Sequence, residues 1–186
     1  MIPKSINHLT EAQWECLNQA YKVLKYNYED GDWFRDSAKR AVTRAYYMQC
    51  KSFKSGLISN AAWLSKQKGN DICFDHCFIP QAYCFYIMKY WESIGISLET
   101  LFPHWVITSL GIDVTSTENK KLSKYTVNNK STGNILKVKV ALIDRYKKAG
   151  ITILNTETLK EVDFDVIGNR LDEGFGEWEK MDLLIG

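Results

Sequence analysis

Apolar residues return at steps of three and four from Trp14 through Leu17, Tyr21 and Leu24 to Tyr28, which predicts an amphipathic helix. Thr10 and Gln13 precede it at the spacing of a capping box, and Glu29-Asp30-Gly31-Asp32 reads as the turn that ends it. A second helix is expected from Asp36 to Phe53, with Ala38, Ala41, Val42, Ala45 and Met48 on its apolar face and Gly56 beyond its end. Asn60 to Gln67 predicts a third, stopped by Gly69. Residues 71–79 mix β-formers and read as a strand. Pro80 suits the first position of a helix running to about 93. That helix is apolar nearly all round (Ala82, Tyr83, Phe85, Tyr86, Ile87, Met88, Trp91), the pattern of a core helix. Ser97 then caps another helix, to about Thr108.

The period changes in the second half. Gly111 to Thr115 is short and extended, and Ser116 or Thr117 caps a helix from Glu118 to about Tyr125. Leu136, Val138 and Val140 alternate with Lys137 and Lys139, which predicts a half-exposed strand with a basic outer side. Ile151–Leu154 and Val162–Ile167 read as further strands. The expected fold class is therefore α+β, with a mainly helical N-terminal half and a β-rich C-terminal part. Without repeats or a Pro/Ser-rich linker, residues 1–156 read as a single globular domain and residues 157–186 as an acidic C-terminal extension.

Composition narrows the function classes. Six Trp, ten Tyr and eight Phe in 186 residues exclude a disordered chain. No apolar run is long enough for a membrane span, so no membrane partner is expected. The opening Met-Ile-Pro-Lys-Ser lacks the apolar stretch of a signal peptide, and five cysteines make no disulfide framework. Both features predict a cytoplasmic protein with reduced thiols, in the host cytoplasm for a phage gene.

The net charge of +2 hides a segregation. Residues 157–186 hold nine acids against three basic residues, whereas residues 119–148 hold nine Lys/Arg against Asp144 alone. On the second helix Arg40, Arg44, Tyr47, Lys51 and Lys54 follow at helical spacing. Such a stripe suits a phosphate backbone as well as it suits an ordinary solvated face. The acidic tail could fold over this basic surface and mask it.

Of the three histidines, only His76 stands among other reactive groups, between Asp75 and Cys77. His104 is expected to pack or lie at the surface, and His8 to be solvated. Cys73, Cys77 and Cys84 with His76 lack the second closely spaced pair of a zinc cluster, so they read as small buried hydrophobes. No P-loop, dinucleotide fingerprint or nucleophile elbow occurs. An unperturbed imidazole is largely neutral near pH 7 and can serve as a general base.

Asp75-His76-Cys77-Phe78-Ile79-Pro80-Gln81, followed downstream by Asp113-Val114-Thr115-Ser116-Thr117-Glu118-Asn119-Lys120-Lys121, resembles the HNH (ββα-metal) nucleases. It is most similar to the HNH domain of RNA-guided nucleases and to small freestanding phage nucleases. The resemblance covers about a quarter of the chain, around residues 71–126. It implies a ββα-metal-like core and an endonuclease that hydrolyses DNA, double-stranded above all. It implies His76 as the general base and Asp75 and Asn119 as ligands of one divalent ion, Mg²⁺ or Mn²⁺, both of which prefer oxygen donors. The family's middle position, usually Asn, has Asp113 or Thr115 nearest to it. The interval from His76 to Asn119 exceeds that of a typical HNH hairpin, and the family's paired Cys-x-x-Cys knuckles are absent. Arg40, Arg44, Lys51, Lys54, Lys120, Lys121 and Lys124 would grip the nucleic acid. A symmetric double-strand cut would call for a homodimer. The rival expectations are a catalytically inactive DNA-binding or regulatory protein on the same scaffold, or a viral interaction protein.

On a regular strand, neighbouring side chains point to opposite faces. Asp75 and His76 can therefore share a centre only where the strand bends or bulges.

Overall fold

The fold is α+β. The structure, a computed structural model, describes residues 3–29, 36–77, 80, 84, 87–88, 91–123 and 146–162. In chain order its elements are α1 (Glu11–Glu29), α2 (Asp36–Gln49), β1 (Phe53–Ser59), α3 (Asn60–Gln67), β2 (Cys73–His76), α4 (Trp91–Ile94), α5 (Leu98–Ser109), β3 (Leu110–Val114), α6 (Ser116–Leu122) and β4 (Ile153–Asn155). The turn at 30–32, the strand expected at 136–140, Phe78, Ile79, Gln81, Lys124, Tyr125 and residues 163–186 lie outside the described residues. No described helix is long and apolar enough to cross a membrane.

The chain forms two compact units and enters each of them twice, Met1–Phe53 with Phe78–Leu110 and Lys54–Cys77 with Gly111–Gly186. The first is helical. Thr10 and Gln13 close the expected box around α1: the Thr10 N–H donates to Gln13 Oε1 at 2.9 Å and the Gln13 N–H to Thr10 Oγ1 at 3.3 Å. Leu17, Ala20 and Leu24 are buried where α1 packs on α2 and α5, while Tyr21 and Tyr28 stack on Trp91, with ring centroids 6.4 and 5.2 Å away. Residues 80, 84, 87 and 88 are helical, and Cys84, Ile87 and Met88 are buried, in keeping with a core helix there. A capping box of Ser97 and Thr100 starts α5, and its His104 is buried.

The second helix ends at Gln49, four residues short of its expected end. Its last turn gives way to tertiary contacts within the unit. The Trp105 indole N–H takes the Gln49 carbonyl at 2.8 Å, and the Lys51 N–H goes to Ser109 Oγ at 2.9 Å. Phe53 already belongs to β1, where its ring meets Trp105 edge to face at 5.4 Å. Lys51 and Lys54 therefore lie off the helix and do not continue the stripe of Arg40 and Arg44. Beside this junction, burial pushes the Cys50 thiol up to about 12, against hydrogen bonds to Thr108 and Ser109 that pull it down.

The second unit is built on a four-stranded sheet in the order β2-β3-β1-β4. Pairing is antiparallel between β2 and β3 and between β1 and β4. Gly56 ends no helix. It sits inside β1 at φ +78°, and its carbonyl accepts the Thr156 N–H at 2.9 Å and the Thr156 hydroxyl at 3.0 Å. Beyond β4, Asn155 Oδ1 accepts the N–H groups of Glu157 and Thr158 in a turn that brings the Val162 N–H back to the Ile153 carbonyl at 2.9 Å. The first residues of the acidic segment thus form part of this hairpin. Among the described residues, Leu57, Ile58, Ala62, Ile112, Val114, Leu122, Tyr146, Ala149, Ile151 and Ile153 are the unit's buried apolar residues, with Cys77 at the end of β2.

Candidate functional site

Strand β2 presents Asp75 and His76 and pairs with β3 in an unbroken register: Cys73 with Val114, Phe74 with Asp113, Asp75 with Ile112 and His76 with Gly111. No bulge separates Asp75 from His76, so alternation sets their side chains on opposite faces of the ladder, with His76 its last paired residue. Directly after β3 comes α6, which packs on β2. The order is strand, strand, helix, and the helix carrying Asn119 leans on the strand carrying Asp75 and His76.

The cap of α6 is Thr115, one residue before the expected Ser116 or Thr117. Thr115 Oγ1 accepts the Glu118 N–H at 3.2 Å, and the Glu118 carboxylate accepts the Thr115 N–H at 2.8 Å. The same carboxylate also accepts the hydroxyls of Thr115 at 2.9 Å and Ser59 at 2.6 Å. Glu118 thus neutralises the helix start. Ser59 in turn caps α3 by accepting the Ala62 N–H at 3.0 Å, so one buried hydroxyl ties the starts of two helices together.

Asp75 is buried and accepts a hydrogen bond from the Tyr146 hydroxyl. His76 is half-buried, its ring edge-to-face with Phe74 at 5.1 Å. Asn119 is half-buried on α6, Lys120 and Lys121 are exposed in its last turn, and the Lys121 ammonium donates to the Ala149 carbonyl. Lys54 is exposed on β1, its Nζ 3.2 Å from the Asp113 carboxylate, which is itself buried. Of the two residues nearest the family's middle position, Asp113 therefore holds a lysine and Thr115 caps a helix. Arg40, Arg44 and Lys51 belong to the first unit; Lys54, Lys120 and Lys121 belong to the second.

Tyr146 is the partner that sequence reasoning missed. Its only signal was an aromatic residue inside a run of cations, Arg145, Lys147 and Lys148. Among the described residues no three His, Cys, Asp or Glu side chains cluster as a metal cage. A hard divalent ion here would depend on the Asp75 carboxylate and the Asn119 amide oxygen, donors of the right chemistry, with water and phosphate completing the shell. Comparison with known protein families, with curated proteins and with solved structures gives no match.

Proposed function

We propose that the chain is a metal-dependent, HNH-like endonuclease acting on DNA phosphodiester bonds. The observation that carries this reading is the β2–β3–α6 order, with α6 packed on the strand that bears Asp75 and His76. Asp75 and Asn119 would hold Mg²⁺ or Mn²⁺, which when bound neutralises charge gathering on the phosphate. His76, half-buried as the last paired residue of the ladder, takes the proton from the attacking water. With no bulge at Asp75-His76, this reading requires the end of β2 to bend when substrate binds, so that both side chains meet one phosphodiester. Tyr146 holds the Asp75 carboxylate in place by donating its hydroxyl to it. Lys120, exposed beside Asn119, meets a neighbouring phosphate.

The test is conversion of supercoiled plasmid to nicked or linear DNA with Mg²⁺ or Mn²⁺. Wild type should convert it, chelation should stop conversion, and His76→Ala should slow it by about 10²- to 10⁴-fold, the usual worth of a general base. Equal conversion by wild type and His76→Ala would remove His76 from the reaction.

A second reading has its own support. The unbroken register at Asp75-His76 and the Tyr146 hydroxyl on Asp75 both suit a DNA-binding protein without catalysis. Such a protein would bind DNA with a steep salt dependence and leave it intact in either metal.

A further inference from the structure

We infer that Phe74 and Gly111 are positioning residues for His76, a seat that fixes the direction of its imidazole; the inference rests on the nuclease reading above. On an antiparallel ladder the nearest same-face neighbour of a side chain is the residue directly opposite. For His76 that residue is Gly111, which offers no side chain. The space is filled instead by Phe74, two residues back on the same face of β2. A Cβ on Gly111 would overlap Cζ and Cε1 of the Phe74 ring and would lie 2.6 Å from the Asp75 carbonyl oxygen. Gly111 is not among the glycines with positive φ, so the backbone conformation does not require glycine there; the Phe74 ring and the Asp75 carbonyl oxygen do.

From this position the Phe74 ring meets the imidazole edge to face, centroids 5.1 Å apart and planes at 86°. Phe74 is confined in turn, because its own cross-strand partner is Asp113, which holds Lys54. The ring therefore lies across β3 beside the imidazole and limits how it can turn. A general base works only when its nitrogen is aimed at the water, and an error of about 1 Å in such placement can cost about 10²-fold in rate.

Phe74→Met keeps the bulk and removes the ring, Phe74→Tyr keeps the ring, and Gly111→Ala crowds both the ring and the Asp75 carbonyl while keeping Phe74. Two readouts are taken on the full chain: the His76 ring-proton shifts by NMR, assigned with His76→Gln, and kcat and KM for plasmid nicking. Phe74→Met and Gly111→Ala should each move the His76 resonances beyond the change that the altered Phe74 ring current alone produces, leave those of His8 and His104 in place, and lower kcat about 10²-fold at unchanged KM. Phe74→Tyr should restore both readouts. His76 resonances and kcat unchanged in Phe74→Met would overturn the seat, as would a change confined to KM. Should Phe74→Met fail to fold, Phe74→Leu and Phe74→Tyr decide the matter by the same readouts. Wild-type protein that leaves DNA intact would overturn the nuclease reading and the seat's catalytic role with it. That failure is distinct from failure of the seat, because the ring shifts are read without turnover.

Discussion

A carboxylate withdrawn from water needs protein donors to replace its hydration. Asp75 is buried in β2, and the Tyr146 hydroxyl supplies such a donor from a residue that is itself buried. Tyr146→Phe removes that donor. It should lower the stability by about 1–3 kcal/mol, measured as a shift in the urea midpoint. It should also weaken Mn²⁺ binding about 10-fold, the usual effect of losing a group that orients a metal ligand. A Phe variant with wild-type midpoint and wild-type Mn²⁺ affinity would deprive Tyr146 of both roles. Asp75, His76 and Asn119 stand out in the sequence as candidates because their signal is local: a dipeptide before Pro-Gln, and an Asn-Lys-Lys on a helix. Tyr146 does not, because its importance comes from a partner 71 positions away.

The same division between local and distant causes runs through the elements. An isolated helix of seven residues such as α6 is too short to persist in water. Its cap and its packing on β2 hold it in place. Thr115→Ala opens the capping box and should cost about 1 kcal/mol of stability, with the loss of helix read by far-ultraviolet circular dichroism through a urea titration. An unchanged transition would show that the links of Glu118 to Ser59 and to the Thr115 backbone suffice. Helices α1, α3 and α5 were readable because periodicity and caps are local properties. Strand β1 was hidden. Lys54, Ser55 and Gly56 interrupt its apolar residues, and its partners Ile153, Leu154 and Asn155 lie about a hundred positions further on. The end of α2 was hidden for a related reason, since the Trp105 indole that takes its last carbonyl is 56 residues away.

At the scale of the whole molecule, the sequence displays the amounts of charge but not their assignment. The chain leaves the helical unit at Phe53, builds two strands of the other, and returns at Phe78. A stripe that looks continuous from Arg40 to Lys54 is thereby divided between units. The strand–strand–helix order survives this interruption, because β2 and β3 pair across the 34 residues that separate His76 from Gly111. That juxtaposition is where a hydrolytic centre would have to form. The most direct test is a structure determined with Mn²⁺ bound. The account predicts one ion with a carboxylate oxygen of Asp75 and the amide oxygen of Asn119 each about 2.1 Å away, and no ion in Asp75→Asn. A Mn²⁺-saturated protein in which Asn119 stays clear of Asp75 and no ion touches either would contradict it.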